Sequence, residues 1–126
     1  MQFSSYKVNR KHRGRVPTDD ASMWSVSEWD EVFLFATAQA SGWMKPGENV
    51  LWAIRRAGKS LCKLGDDPEN PLYIAKYTTD HNSEWHGYPV HPRKDDIPPE
   101  CVLERWREAG LIDKTDKKRI QGGKFR

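Results

Sequence analysis

The sequence predicts a single α+β domain with two N-terminal helices, a small antiparallel sheet and a C-terminal helix pair. Apolar residues recur at helical spacing after Ser27, alternate over 72–78, and recur at helical spacing again after Pro99. The 126 residues suit one domain and are enough for a hydrophobic core without disulfides or a structural metal. We expect a basic N-terminal arm over 1–20, the domain over 21–121 and a basic tail over 122–126.

The first helix is predicted over 27–41, because Ser27 can cap its start and Gly42 can end it. Leu34 and Phe35 extend its apolar surface nearly all round, which predicts the most buried helix of the chain. The stripe that we expect to face the core comprises Trp29, Val32, Phe33, Ala36 and Ala40.

A second helix is predicted over 49–58, where Asn49 can cap the start and Gly58 can close the end. The apolar residues at helical spacing in it are Val50, Leu51, Ile54 and Ala57. The alternative is a hairpin in which 50–54 forms a strand, since the same letters also suit a buried strand.

The clearest strand is predicted over 72–78, where side chains alternate between two faces. Residues 85–90 are expected to return as a short, irregular partner strand. A third helix begins at Pro98–Glu100 and stops at Gly110, and a short basic helix then runs to about Ile120. The residues predicted to be mostly buried are Phe33, Phe35, Ile54, Ile74, Leu103 and Trp106.

Composition excludes several classes of protein. No apolar run approaches the length of a membrane helix, and the polar N-terminus lacks the apolar segment of a signal peptide. Cys62 and Cys101 belong to no C-x-x-C pair, so we expect free thiols in a reducing compartment, the cytoplasm. No complete cofactor motif is present, and we expect neither a cofactor nor a metal.

The charge is concentrated at the chain ends, although the net charge is only +3. Basic chain ends can bind nucleic-acid phosphates electrostatically, and the alternative is that they only maintain solubility. The candidate phosphate-binding residues at the two ends are Arg10, Lys11, Arg13, Arg15, Lys117, Lys118 and Arg119.

The segment 77–92 is the candidate functional loop, because it contains three of the four histidines. Candidate binding residues in and after it are Trp85, Tyr88, Arg93 and Lys94. Its histidines recur every five residues, which places neighbours on opposite faces of a strand and matches no common zinc site. Asp80 and His81 resemble the start of a ββα-metal nuclease motif, but 98–109 lacks the asparagine and second histidine that should follow.

These observations predict a small intracellular module, of prokaryotic or phage-like compactness, that binds nucleic acid or a protein partner through its basic ends and this loop. The alternative is a metal-independent ribonuclease of the kind used as a toxin, which needs a base, an acid and a cation near the phosphate. Its candidate catalytic residues are His81, Glu84, His86 and His91. Two of the loop's side chains converging in one cleft would favour the enzyme.

Overall fold

Nine strands and three α-helices are present in a computed structural model that describes residues 5–14, 16–18, 21–80 and 83–124. In chain order they are β1 (Ser5–Tyr6), β2 (Met23–Trp24), α1 (Glu28–Ser41), β3 (Val50–Ala53), β4 (Arg56–Ala57), β5 (Ser60–Leu61), β6 (Gly65–Asp66), β7 (Pro71–Leu72), β8 (Ile74–Thr79), β9 (Glu84–Val90), α2 (Glu100–Glu108) and α3 (Lys114–Gln121). Short 3-10 turns lie at Arg10–His12 and Lys94–Asp96. The predicted α+β class and the C-terminal helix pair are confirmed.

The central sheet has the strand order β1-β9-β8-β3. β8 pairs antiparallel with β9, from Ile74 opposite Val90 to Thr79 opposite Trp85, which confirms the predicted strand and its partner. β3 pairs antiparallel with β8, whereas β1 lies parallel to β9. The sequence predicts an antiparallel sheet, and the parallel pairing of β1 departs from that prediction. Two smaller sheets have the orders β2-β6-β7 and β4-β5.

The prediction of a second helix over 49–58 is wrong. Residues 50–53 form β3, and 56–61 form the hairpin of β4 and β5. The four consecutive residues 51–54 are all buried, and a short two-faced helix cannot bury every side chain in a row, whereas a strand covered on both faces can. The strand of the alternative is therefore confirmed over 50–53, but it pairs with β8 and not with the next segment in a hairpin.

The bounds of α1 match the prediction, and its buried face does not. Ser27 caps the helix by accepting a hydrogen bond from the N–H of Asp30, and Gly42 ends it in the left-handed conformation at φ 68°. The buried residues of α1 are Glu31, Leu34, Phe35 and Ala38. The stripe expected to face the core lies on the opposite side, and Phe33 in it is 58% exposed.

The core lies between α1, the central sheet and the C-terminal helices. The Phe35 ring lies 5.5 Å from the rings of Tyr77 and Trp85, and Trp43 meets Trp106 edge to face at 6.0 Å. The confirmed core predictions are Phe35, Ile54, Ile74, Leu103 and Trp106. In the described part of the chain, no helix has the length and apolar character needed to cross a membrane.

The described part of the predicted arm packs on the domain. Tyr6 lies in β1 beside β9, and its ring contacts Phe35 at a centroid distance of 4.8 Å. Arg13 forms an ion pair with the buried Glu31 of α1. This packing brings the residues after Arg10 to the far end of β9, where the candidate site lies. The other arm residues, and 125–126 of the predicted tail, lie outside the described residues.

Candidate nucleic-acid interface

A cleft of about 540 Å³ opens where residues 11–12, 18 and 21–22 meet the end of β9 and the segment after it. Its volume is in the range of sites that hold small molecules and nucleotides. The side chains in it that suit a polar or anionic ligand are Lys11, His12, Tyr88, His91 and Arg93. Four of these are residues that the sequence singled out. His12 is the fifth, and sequence analysis missed its role because the arm offered only a pattern of charge.

His12 is buried and held in a defined orientation. Its Nδ1 lies 2.8 Å from the carbonyl oxygen of Ser22, and because a carbonyl only accepts, this nitrogen carries the hydrogen. The ring stacks on Tyr88 at a centroid distance of 5.2 Å and an interplanar angle of 18°. Burial lowers the pKa of His12, and although the hydrogen bond to Ser22 acts in the opposite direction, the nearby charge of Lys11 also lowers it. The ring is therefore neutral at pH 7, with its lone pair on Nε2.

His91 is held by the C-terminal segment. Its Nε2 lies 3.1 Å from the carbonyl oxygen of Gly123, so this nitrogen donates and the lone pair of the neutral ring lies on Nδ1. The Nδ1 atom is buried and has no hydrogen-bond partner among the described residues. Gly123 has φ 73°, a conformation that suits glycine and directs its carbonyl to the ring. With one ring nitrogen bonded to Gly123 and the other without exposed surface, His91 lines the cleft but presents neither nitrogen to a ligand there.

Two hydrogen bonds hold residues 22–24 against β9 beside these rings. The hydroxyl of Ser22 donates a hydrogen bond of 2.6 Å to the carbonyl oxygen of Pro89, and Trp24 Nε1 donates one of 3.2 Å to that of Gly87. Burial raises the pKa of the Tyr88 hydroxyl, with a smaller contribution from Asp96. Tyr88 therefore stays protonated at neutral pH and can act as a hydrogen-bond donor.

The charge of the cleft depends on which ionised groups already have partners. Lys11 Nζ and the Arg93 guanidinium form no hydrogen bond or ion pair with any described residue. Asp67 accepts hydrogen bonds from backbone N–H groups in its own turn, and Asp96 pairs with Lys76 at 3.0 Å. Neutral N–H donors leave the negative charge of Asp67 in place, so Asp67 and Glu69 balance Lys11 and Arg93 in formal charge. The two cations are the groups of the cleft that can contact an anionic ligand.

The other histidine of the loop, His86, lies elsewhere. Its Nε2 is 3.1 Å from Asp80 Oδ2 and 3.8 Å from Glu84 Oε1, and these three residues place one ligand atom each within 4.8 Å of one another. A histidine that binds a metal through one nitrogen nearly always donates a hydrogen bond from the other. His86 Nδ1 is buried without a partner in the described part of the chain, so the cluster is better explained as a hydrogen-bonded contact that joins the two strands of the β8–β9 hairpin.

The remaining candidates are distributed over the surface and core. Arg10 pairs with Glu28 at 2.9 Å, and Lys117 bridges Glu100 and Glu104. Trp85 is buried against Phe35, away from the cleft. Three exposed cations, Lys94, Lys118 and Arg119, do not line the cleft. Two candidates, Arg15 and His81, lie outside the described residues.

Comparison with protein-family models, with curated proteins and with solved structures found no match to this chain. The geometry of the cleft is therefore the basis for assigning a function.

Proposed function

We propose that this chain is a binding module for single-stranded RNA and that the His12–His91 cleft is its binding site. The observation that supports this is the combination of one imidazole acceptor, His12 Nε2, with two cations, Lys11 and Arg93, that lack partners among the described residues. Each part of this combination matches a different group of a ribonucleotide.

The cations match the phosphates. Lys11 and Arg93 are exposed at the cleft, and contacts of this kind supply most of the affinity and little of the sequence preference of nucleic-acid binding.

The imidazole of His12 distinguishes RNA from DNA. A lone pair needs a donor, and phosphate oxygens at neutral pH offer none, whereas the 2′-hydroxyl of RNA is both donor and acceptor. His12 carries its lone pair on Nε2 at the cleft, so a 2′-hydroxyl can donate to it. A deoxynucleotide lacks that hydrogen bond, which is worth about 0.5–1.5 kcal/mol.

A second candidate function is metal-independent cleavage of RNA, which a neutral imidazole and two cations in one cleft favour. A neutral His12 would take the proton of the 2′-hydroxyl as the 2′-oxygen attacks phosphorus. The P–O5′ bond then breaks, the Lys11 ammonium gives a proton to the departing 5′-oxygen, and a 2′,3′-cyclic phosphate remains. Arg93 would stabilise the charge that develops on the phosphate. This mechanism uses none of the four catalytic candidates from the sequence.

Binding is tested with a labelled single-stranded RNA and the DNA of the same sequence, titrated by fluorescence anisotropy at low and moderate salt. We expect tighter binding of RNA, an affinity that falls steeply with salt, and a clear loss for Lys11→Ala and Arg93→Ala. Lys59→Ala is the matched control, because Lys59 is an exposed cation outside the cleft and should leave the affinity unchanged. Flat salt dependence or equal binding of RNA and DNA would contradict the proposal and leave a protein as the partner.

Cleavage is tested on the same RNA in the presence of a chelator. If the chain is a ribonuclease, 2′,3′-cyclic ends should appear, and His12→Ala and Lys11→Ala should each abolish them. His86→Ala is the control, since it removes a histidine outside the cleft. Salt-sensitive binding without product would leave the binding function alone.

A further inference from the structure

The helix α1 has a second apolar face that no described residue covers. Trp29 is 79% exposed and Val32 is 38% exposed, and Phe33 lies beside them. Ala36 and Ala40 continue this stripe toward the end of the helix and are also exposed. At 3.6 residues per turn, the five side chains fall within an arc of about 100°.

The size of this stripe is unusual for a surface that remains in water. Trp29, Phe33 and Val32 together expose roughly 400 Å² of apolar surface at their observed exposures, which is as large as the largest patches of typical monomers. The opposite side of α1 is already buried in the core through Leu34, Phe35 and Ala38. A helix that is apolar nearly all round is normally buried nearly all round. We infer that another surface covers the stripe.

We propose that the stripe binds a second copy of this chain, with the two α1 helices antiparallel about a two-fold axis that passes between positions 34 and 35. In this register Trp29 of one copy faces Ala40 of its partner, and Phe33 faces Ala36. Large side chains occupy one half of the stripe and alanines the other. Each aromatic ring therefore meets a small residue at both ends of the contact, as close packing requires.

The charges at the two ends of α1 are compatible with this arrangement. The first turn of α1 contains Glu28 and Asp30, which pair with Arg10 and Arg55 of the same chain, whereas no charged residue occurs from Val32 to the end of the helix. The antiparallel register places that acidic first turn against the end of the partner's α1. The end is basic, because Arg105 donates to the carbonyl oxygen of Ser41 at 3.5 Å and Lys45 follows closely in the chain. The two helix dipoles also oppose each other favourably.

The area of contact sets the expected strength. Two stripes of this size supply roughly 800 Å² of apolar contact, and the charged rim adds to it, against the roughly 1,200–2,000 Å² of a stable specific interface. We therefore expect a reversible dimer that dissociates at micromolar concentration. The cleft lies on a different part of the chain, so this proposal stands independently of RNA binding.

The test uses the full chain in sedimentation velocity over a range of concentrations, with two variants that meet only in the proposed register. Phe33→Glu alone and Ala36→Lys alone should each be monomeric, with the dissociation constant raised at least a hundredfold. An equimolar mixture of the two should form a heterodimer, since the introduced glutamate of one chain then faces the introduced lysine of the other. Mixing Phe33→Glu with Ala36→Glu is the matched control and should give monomers.

Both positions are exposed, so circular dichroism melts of the variants should match the wild type. Three outcomes would overturn the proposal: a wild type that stays monomeric at high micromolar concentration, a dimer that survives Phe33→Glu, or a mixture that does not associate. A wild-type monomer that binds neutral phosphatidylcholine vesicles, with binding lost in Trp29→Ala, would instead assign the stripe to a lipid surface.

Discussion

The guanidinium of Arg13 donates two hydrogen bonds, from Nε at 3.2 Å and from Nη2 at 2.6 Å, to Oε1 of Glu31. The side chain of Glu31 has no exposed surface, and its other oxygen accepts a hydrogen bond from the Tyr6 hydroxyl. Burial raises the pKa of Glu31, although the bonds from Tyr6 and Arg13 act in the opposite direction. This relationship fastens the N-terminal segment to α1 and thereby holds His12 at the cleft.

Replacement of Arg13 by alanine should lower the free energy of unfolding by about 3–5 kcal/mol, because it leaves a buried carboxylate without its counter-charge. Urea denaturation measures this change. The double variant Arg13→Ala with Glu31→Gln should lose less than Arg13→Ala alone, since the uncompensated charge is then absent. A cost below about 1 kcal/mol for Arg13→Ala would mean that the segment is not held by this pair.

Alkaline pH should destabilise the fold through Tyr6. Burial and the hydrogen bond to Glu31 raise the pKa of Tyr6 far above its usual value, and burial also raises the pKa of Tyr77. An unfolded tyrosine ionises near 10, so above that pH the folded chain binds more protons than the unfolded chain and stability falls as pH rises.

Each such tyrosine contributes a slope of about 1.4 kcal/mol per pH unit above pH 10. In Tyr6→Phe the slope should become shallower by that amount, because one of the retained protons is gone. Urea denaturation of both proteins between pH 9 and pH 11 makes the comparison. Identical slopes would show that Tyr6 titrates equally in the folded and unfolded chains.

Gly87 should tolerate no side chain, because it lies directly opposite Tyr77 in the sheet. A Cβ there would lie 2.6 Å from the Tyr6 hydroxyl and closer still to the ring of Tyr77, which has no exposed surface and cannot move aside. Overpacking of this kind costs about 1–3 kcal/mol or more. Thermal melts should therefore show a large loss for Gly87→Ala. The control is Gly14→Ala, where the nearest atom is the flexible end of Met23 at 3.4 Å.

Several elements could be predicted because their causes lie within a few residues of each other. Ser27 and Gly42 bound α1 through capping and a left-handed turn, and Asp113 begins α3 with a capping box to Asp116. Alternation over 74–79 and a partner shortly after it specify the pairing of β8 with β9. In each case the decisive hydrogen bonds or side-chain spacing can be read along the chain.

Two features could not be predicted because they depend on contacts between distant segments. Residues 50–53 are of types that occur in helices and in strands, and only pairing with β8 decides between the two structures. α1 has two apolar faces, and the sheet selects the one that contains Phe35 by placing Tyr77 and Trp85 against it. Hydrophobic periodicity indicates that a helix face is apolar, but it does not indicate which of two apolar faces packs against the sheet.

In the candidate site too, some features could be predicted from the sequence and others depend on contacts between distant segments. The sequence by itself determined that 77–92 and the residues after it contain histidines, an aromatic ring and cations, and it determined that the chain ends are basic. Only the tertiary structure decided that His91 shares a cleft with His12 and not with His86. Residues five apart on a strand point to opposite faces, while the Arg13–Glu31 pair and the parallel pairing of β1 bring a distant arm to the same end of β9.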